Sequence, residues 1–144
     1  FRPADPVGYN PPRMTDLTLD TAVRALMAEF VGLYNEGDAD GIAGVYAEDS
    51  HRFDAFGGHA DGREAVRVMY REEIARRGPE AKNSPGQELE LDINIVLPLS
   101  ASQALVDGLI RFRGRRRRFT AVARRDAEGW RLQLGRVHPP AEAG

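Results

Sequence analysis

Apolar and polar positions recur along this chain with two different periods, and the change from one to the other divides it in two. In the first half Val23, Leu26, Met27, Phe30, Val31 and Tyr34 fall at the three- and four-residue intervals of one helix face. This spacing predicts a helix that opens at Asp20, whose carboxylate can accept from the free amides of a first turn, and stops at Gly37. Asp38 then caps a short helix through Ala39, Ile42, Ala43 and Tyr46, ending at Glu48 and Asp49. The run from His51 to Phe56 reads as a half-buried strand, bounded by those acidic residues and by Gly57 and Gly58. Asp61 followed by Glu64 has the form of a capping box. A third helix therefore starts there, with Val66, Met69, Tyr70 and Ile74 as its buried stripe and Arg76 and Arg77 at its negative end before Gly78 and Pro79.

The second half alternates with period two. Leu89, Leu91, Ile93, Ile95 and Leu97 face one way and Glu90, Asp92 and Asn94 the other. Two more strands, from Ala104 to Arg113 and from Phe119 to Arg125, are joined by a turn around Gly114. Residues 126–129 then turn the chain into a last strand, from Trp130 to His138. The order predicts an α+β fold, with three N-terminal helices packed on a curved, mostly antiparallel sheet. It is expected to be one domain over residues 16–139, preceded by an extended arm (1–15) and followed by a short tail (140–144). Four prolines and no apolar period mark residues 1–13. Met14 fits a native start of the chain.

Composition narrows the function classes more than it names one. Apolar residues make up 42% of the 144 and charged residues 29%, as in a globular protein, and no apolar run approaches the roughly 18 residues of a membrane span. There is no cysteine, so disulfides and thiolate chemistry are excluded and a cytoplasmic setting is expected. A net charge of −2 argues against a nucleic-acid partner. The run from Arg113 to Arg118 is the exception; it straddles a turn, so its arginines alternate between faces, and a solvated turn, an anionic ligand and a dimer salt-bridge network all fit it.

Asp54 is the candidate that most needs explaining, because a carboxylate inside a half-buried strand costs free energy unless it is solvated, paired or protonated. By strand parity Arg52, Asp54 and Phe56 share a face. A guanidinium beside Asp54 would weaken it as a base and suit it better as an anchor. A structural Arg52–Asp54 pair, a ligand contact and a general base are the three readings. His138 shares a strand face with Trp130, Leu132, Leu134 and Arg136, and its imidazole is suited to proton transfer near neutrality. Tyr34 carries a hydroxyl one turn beyond Phe30. Asp107 and Arg111 share a face and either line a pocket or pair with neighbouring strands. His51, Asp54, His59 and Asp61 match no metal-ligand spacing, so no metal is expected.

The first-helix stripe, the segment NEGDADGIAGVYAEDS, the GREAV helix start and the closing RRDAEGWRLQLGRVH together resemble the nuclear-transport-factor-2-like superfamily, from Thr18 to Pro139. Ketosteroid isomerases, SnoaL-type polyketide cyclases, limonene epoxide hydrolases and SgcJ/EcaC-type proteins share that cone-shaped fold, and the SgcJ/EcaC type is the nearest in pattern. The resemblance to ketosteroid isomerases puts Asp54 at the position of the proton-abstracting base. It puts Phe30 where that family has its oxyanion tyrosine, no carboxylate in the region of Phe119 to Ala121 where it has its oxyanion aspartate, and His138 where it has a pocket-closing tryptophan. It implies a cofactor-independent isomerase, cyclase or hydrolase acting on a hydrophobic polyketide-like or terpenoid-like substrate. Asp54, His138 and Tyr34 would be catalytic, and Phe30, Arg52, Phe56, Asp107, Arg111, Trp130 and Leu134 would contact the ligand. A homodimer through the outer sheet face is also implied. The alternative is a non-catalytic ligand-binding or dimerisation module.

Overall fold

The computed structural model describes residues 14–78 and 88–140. Residues 1–13 of the expected arm, residues 79–87 and residues 141–144 of the expected tail lie outside them. Three helices, α1 (Met14–Glu36), α2 (Ala39–Val45) and α3 (Arg63–Arg77), pack on a six-stranded sheet of β1 (Tyr46–Phe53), β2 (His59–Asp61), β3 (Glu90–Ser100), β4 (Gln103–Phe112), β5 (Arg115–Asp126) and β6 (Gly129–Val137). The strand order is β2-β1-β6-β5-β4-β3; β1 and β6 run parallel, and every other pair is antiparallel. This is the expected α+β architecture. Among the described residues no helix is long and apolar enough to cross a membrane.

The helical stripes are where the spacing put them. Val23, Leu26, Met27, Phe30 and Tyr34 of α1 are buried, with Leu19 extending the stripe one turn back, and they meet Val66 and Tyr70 of α3 and Val106, Ala121 and Leu132 of the sheet. Asp38 caps α2 by accepting from the Gly41 amide at 2.8 Å, and Gly37 closes α1 with φ of 72°. The start of α1 is corrected. It begins at Met14, and Asp20 lies inside the helix with its carboxylate 2.9 Å from Arg24 Nε, an i,i+4 pair.

The second correction concerns the stretch around Asp54. The strand opens at Tyr46 and ends at Phe53, and residues 54–58 turn the chain into β2, which the sequence pattern had not shown. Phe53 pairs with His59 and His51 with Asp61 across this hairpin. Because Asp61 is spent in β2, the expected capping box does not form. The N-cap of α3 is Gly62, with φ of 93° and no side-chain bond, and Glu64 instead meets Arg67 at 3.2 Å.

Two register shifts correct the strand faces. In β3, Ile93 pairs with Gly108 and Ile95 with Asp107, so Asn94 is an extra residue and the faces exchange there. Leu91 and Ile93 point to the core before the bulge, and Val96 takes over after it. Ile95, Leu97 and Leu99 are thereby turned out, 45%, 45% and 52% exposed. The same event occurs in β6, where Val122 pairs with Leu134 but Ala123 with Leu132, leaving Gln133 extra. Leu132, Gly135 and Val137 therefore face Ala123, Ala121 and Phe119 on the core side, whereas Leu134 and Arg136 face outward with Val122 and Thr120. The single unbroken face expected for Trp130, Leu132, Leu134, Arg136 and His138 does not exist.

Candidate active site

The concave side of the sheet and the helices leave a cavity of about 300 Å³ between them, at the small end of the range for ligand pockets. One wall is Met27, Phe30 and Tyr34 of α1, a second is Met69, Tyr70 and Glu73 of α3, and the sheet supplies Leu91, Ile110, Phe119, Ala121 and Leu132. These walls are mostly apolar because they are the inner faces of elements patterned to be buried. Close packing requires glycine at two positions, Gly135 in the cavity wall and Gly108 on β4. A Cβ on Gly135 would lie 2.7 Å from the Tyr46 hydroxyl, and one on Gly108 would lie 2.2 Å from the Asp92 carbonyl and 2.9 Å from the Phe119 ring.

The polar groups of the interior gather around Arg52. Arg52 is 6% exposed, and its guanidinium stands 4.2 Å over the Tyr70 ring and reaches Glu73 Oε2 at 3.1 Å. That Oε2 is enclosed yet lacks hydrogen-bond alignment with any donor, so the contact is an ion pair only. Glu73 Oε1 accepts a long bond, 3.4 Å, from the Tyr34 hydroxyl. The hydroxyls of Tyr46 and Tyr70 are 2.7 Å apart. One of their two hydrogens is used in that bond, which leaves one to donate elsewhere.

Burial pushes all three phenols up. For Tyr34 the charge of Glu73 adds to it, and for Tyr46 and Tyr70 the Arg52 charge only partly offsets it. They are hydroxyl donors, not phenolates, at neutral pH. Burial also works against the charge of Arg52, but Tyr70 and Glu73 outweigh it and the guanidinium ends above its ordinary value.

Asp54 lines the same cavity, without the expected arginine. No ion pair joins Arg52 to Asp54 among the described residues, and Arg52 pairs with Glu73 instead. Asp54 Oδ1 accepts from the amides of Phe56 at 2.8 Å and Gly58 at 2.7 Å, and the Asp54 amide donates to the Gly58 carbonyl at 2.9 Å. The carboxylate thus pins the turn between β1 and β2 from within, as aspartate commonly does in turns. A Cβ on Gly58 would fall 2.3 Å from Asp54 Oδ2, so the turn needs glycine there.

Of the other residues singled out in the sequence, Phe30, Tyr34 and Phe56 line the cavity, Phe56 at its rim and 81% exposed. His138, Asp107, Arg111, Trp130 and Leu134 do not line it. His138 Nε2 is 2.9 Å from Oγ1 of Thr120, a residue that borders the cavity, but His138 itself does not line it. Asp107 binds Arg118 through two bonds of 3.1 Å, and Arg111 binds Glu90 at 3.0 Å and Asp92 at 3.2 Å, so both pair with neighbouring strands. Trp130 packs against the core beside Arg125, and Leu134 sits opposite Val122 on the outer face. His51 and His59 are bonded to each other at 2.9 Å on the far side of β1 from Asp54.

Glu73, Tyr46 and Tyr70 line the cavity and were not among the expected site residues; Arg115 and Arg117, from the run for which an anionic ligand was one reading, line it too. Glu73 follows Tyr70 by three residues on α3, so its place on the inner face was readable from helical spacing.

Solved structures share this architecture over most of its length. A nuclear-transport-factor-2-like protein of unknown function from Shewanella oneidensis matches with a TM-score of 0.70 at 17% identity, covering 83% of this chain and 98% of that one. A provisionally assigned scytalone dehydratase from Novosphingobium aromaticivorans matches with a TM-score of 0.71 at 15% identity, over 90% of this chain and 98% of the other. A cystatin-like-fold domain of unknown function from Nostoc punctiforme gives 0.69 at 20% identity, over 86% and 78%. No family model matches the sequence, and no curated protein does. The chain has the nuclear-transport-factor-2-like fold. Within that fold the helices and the sheet enclose a mostly apolar cavity.

Two predictions follow from the local chemistry. Asp54→Ala removes two charge-assisted bonds from a half-buried turn and is expected to lower unfolding free energy by about 1–3 kcal/mol in urea titration. Asp54→Asn keeps an accepting oxygen and should cost less; equal losses would show that the turn does not depend on the acceptor. The phenols titrate above their unfolded value, so the stability they carry is fully present below the ordinary tyrosine range and is lost as pH rises through the folded values. Phenolate absorbance of Tyr34, Tyr46 and Tyr70 should therefore appear only together with alkaline loss of circular dichroism, and ionisation ahead of unfolding would contradict their burial.

Proposed function

We propose that the cavity is the active site of a cofactor-independent acid–base enzyme of the isomerase, cyclase or hydrolase type, acting on a hydrophobic polyketide-like or terpenoid-like substrate. The observation that carries this reading is Glu73, a carboxylate facing an apolar cavity among protonated phenols. In such a site Glu73, held by Tyr34, is the proton-abstracting base once substrate displaces its contact with Arg52, since a guanidinium left beside a carboxylate weakens it as a base. The uncommitted hydrogen of the Tyr46–Tyr70 pair is the donor to a substrate oxygen on which charge develops, the kind of preorganised donor that contributes most to such reactions. Asp54 is the second carboxylate, with Oδ1 engaged by the turn and Oδ2 left for a water or a substrate hydroxyl. His138 has no part in this arrangement.

A test uses β-tetralone, an apolar ketone with exchangeable α-protons. The protein in deuterium oxide should accelerate α-deuteration, and Glu73→Gln should slow it by about 100-fold or more. Exchange by Glu73→Gln at the wild-type rate would remove Glu73 as the base, and no acceleration by wild type would favour the binding-module reading.

A homodimer across the outer sheet face belongs to the same proposal. Ile95, Leu97 and Leu99 make an exposed apolar strip there, continuous with Leu105, Val122 and Leu134. Sedimentation should give a dimer for wild type and a monomer for Leu97→Glu; a wild-type monomer would overturn the dimer.

A further inference from the structure

The arginine run at the β4–β5 turn is divided by the hairpin in a way that matters for the cavity. Arg113 and Gly114, with φ of 53° and 74°, form a two-residue turn of the primed type, and Phe112 pairs with Arg115 across it. From there parity is set. Arg115 lies opposite Phe112 and Arg117 opposite Ile110, and all four line the cavity, whereas Arg116 and Arg118 stand on the outer face opposite Arg111 and Leu109. Arg118 is tied to Asp107 there. Arg76, from the last turn of α3, lines the same cavity.

Arg76, Arg115 and Arg117 have no carboxylate partner among the described residues; the one bond in which any of them donates is from Arg117 Nη1 to the neighbouring Arg116 carbonyl, at 3.0 Å. Almost every other arginine of the described chain has an acidic, carbonyl or ring contact. Arg136 also borders the cavity, but its guanidinium is drawn off over the Phe53 ring, 5.5 Å from its centroid. Along the cavity wall, where Arg76 and Arg115 are exposed and Arg117 is half-buried, the charges therefore separate. Arg52 and Glu73 balance one another, and Asp54 is the single carboxylate set against the three unpaired guanidinium groups. A cleft with apolar walls and one dominant sign of charge concentrates ligands of the opposite sign, and guanidinium groups match carboxylates with paired donors.

From this geometry we infer that the ligand is an amphipathic anion: an apolar body held by the Phe30, Phe119 and Leu132 walls and a carboxylate head held by Arg115 and Arg117. This rests on the cavity being the binding site, as in the function proposed above, and narrows its substrate class to hydrophobic acids. Nucleic acid is a poorer match to the run, because the hairpin sends alternate arginines to opposite sides of the sheet and so breaks up any continuous basic track.

The experiment compares decanoate with decanol, the same chain with and without the charge, by isothermal titration. Wild type should bind decanoate at least roughly tenfold more tightly than decanol, and the preference should fall as salt is raised. Arg115→Gln/Arg117→Gln should weaken decanoate about tenfold, leave decanol unchanged and keep the wild-type melting temperature. Equal binding of the two probes, with no salt dependence, would overturn the anion inference while leaving the cavity a binding site. Binding of neither probe would overturn both. If the double variant does not fold, the salt dependence and the decanoate-to-decanol ratio of wild type decide the question alone.

Discussion

A guanidinium sealed inside a small domain is the constraint around which the interior is arranged. Taking Arg52 out of water costs several kcal/mol unless charge and hydrogen-bonding partners are supplied. α3 supplies the opposing charge, as the Glu73 carboxylate at 3.1 Å, and the Tyr70 ring face at 4.2 Å. This fixes β1 against α3 with a polar layer between them, where an apolar pair would let the two elements close. The cavity exists because that layer keeps its own volume: Tyr70 must leave room for Arg52 on one side and for the Tyr46 hydroxyl on the other, and Gly135 is small so that the hydroxyl fits. Breaking the pair from either side would leave an uncompensated charge in a mostly apolar space.

The helices were legible in the sequence because their pattern needs only a period, and 3.6 residues survive small errors at the ends. The strands were legible as strands but not as faces. A period of two is exchanged by one extra residue, and neither Asn94 nor Gln133 carries a glycine or proline that would announce a bulge. Both bulges act in the same direction. Each turns part of an apolar strand outward at one end of the sheet and keeps the inner face apolar at the other, which bends the sheet over the helices. Straight alternation kept His138 and Leu134 on one face with Trp130 and Leu132, and it missed the exposed strip of Ile95, Leu97 and Leu99. The hairpin of β1 with β2 was hidden for a related reason, since three residues are too few to show any period.

The site was half legible. Asp54 was identified as a carboxylate needing an explanation, and the turn supplies one, through two amides that no pattern of side chains encodes. Arg52 was placed on the right face but given the wrong partner, because strand parity shows neighbours two residues away and is silent about the helix packed above. The inward face of Glu73 was readable from its spacing to Tyr70, but its pairing with Arg52 only with knowledge that β1 lies beneath α3. The arginine run was the reverse case. Once Arg113 and Gly114 are taken as the two turn residues, alternation from Phe119 and Ala121 backward assigns Arg117 and Arg115 to the inner face, so the division into two pairs was available from sequence alone.

Solved structures at 15–20% identity establish the architecture and leave the chemistry to the residues. Here those residues form two groups with different electrostatic character. The set around Arg52 is self-balanced, so in the proposed reaction it would not demand charge from the substrate. The set at the β4–β5 hairpin is not balanced, and its field is left for something outside the chain to meet. A neutral hydrophobic substrate would satisfy the apolar walls and the Arg52 set but would leave three guanidinium groups beside its exposed end with only Asp54 to compensate them. An acid satisfies all three parts of the cavity at once, which is why the charge of the ligand, more than its shape, is what this cavity specifies.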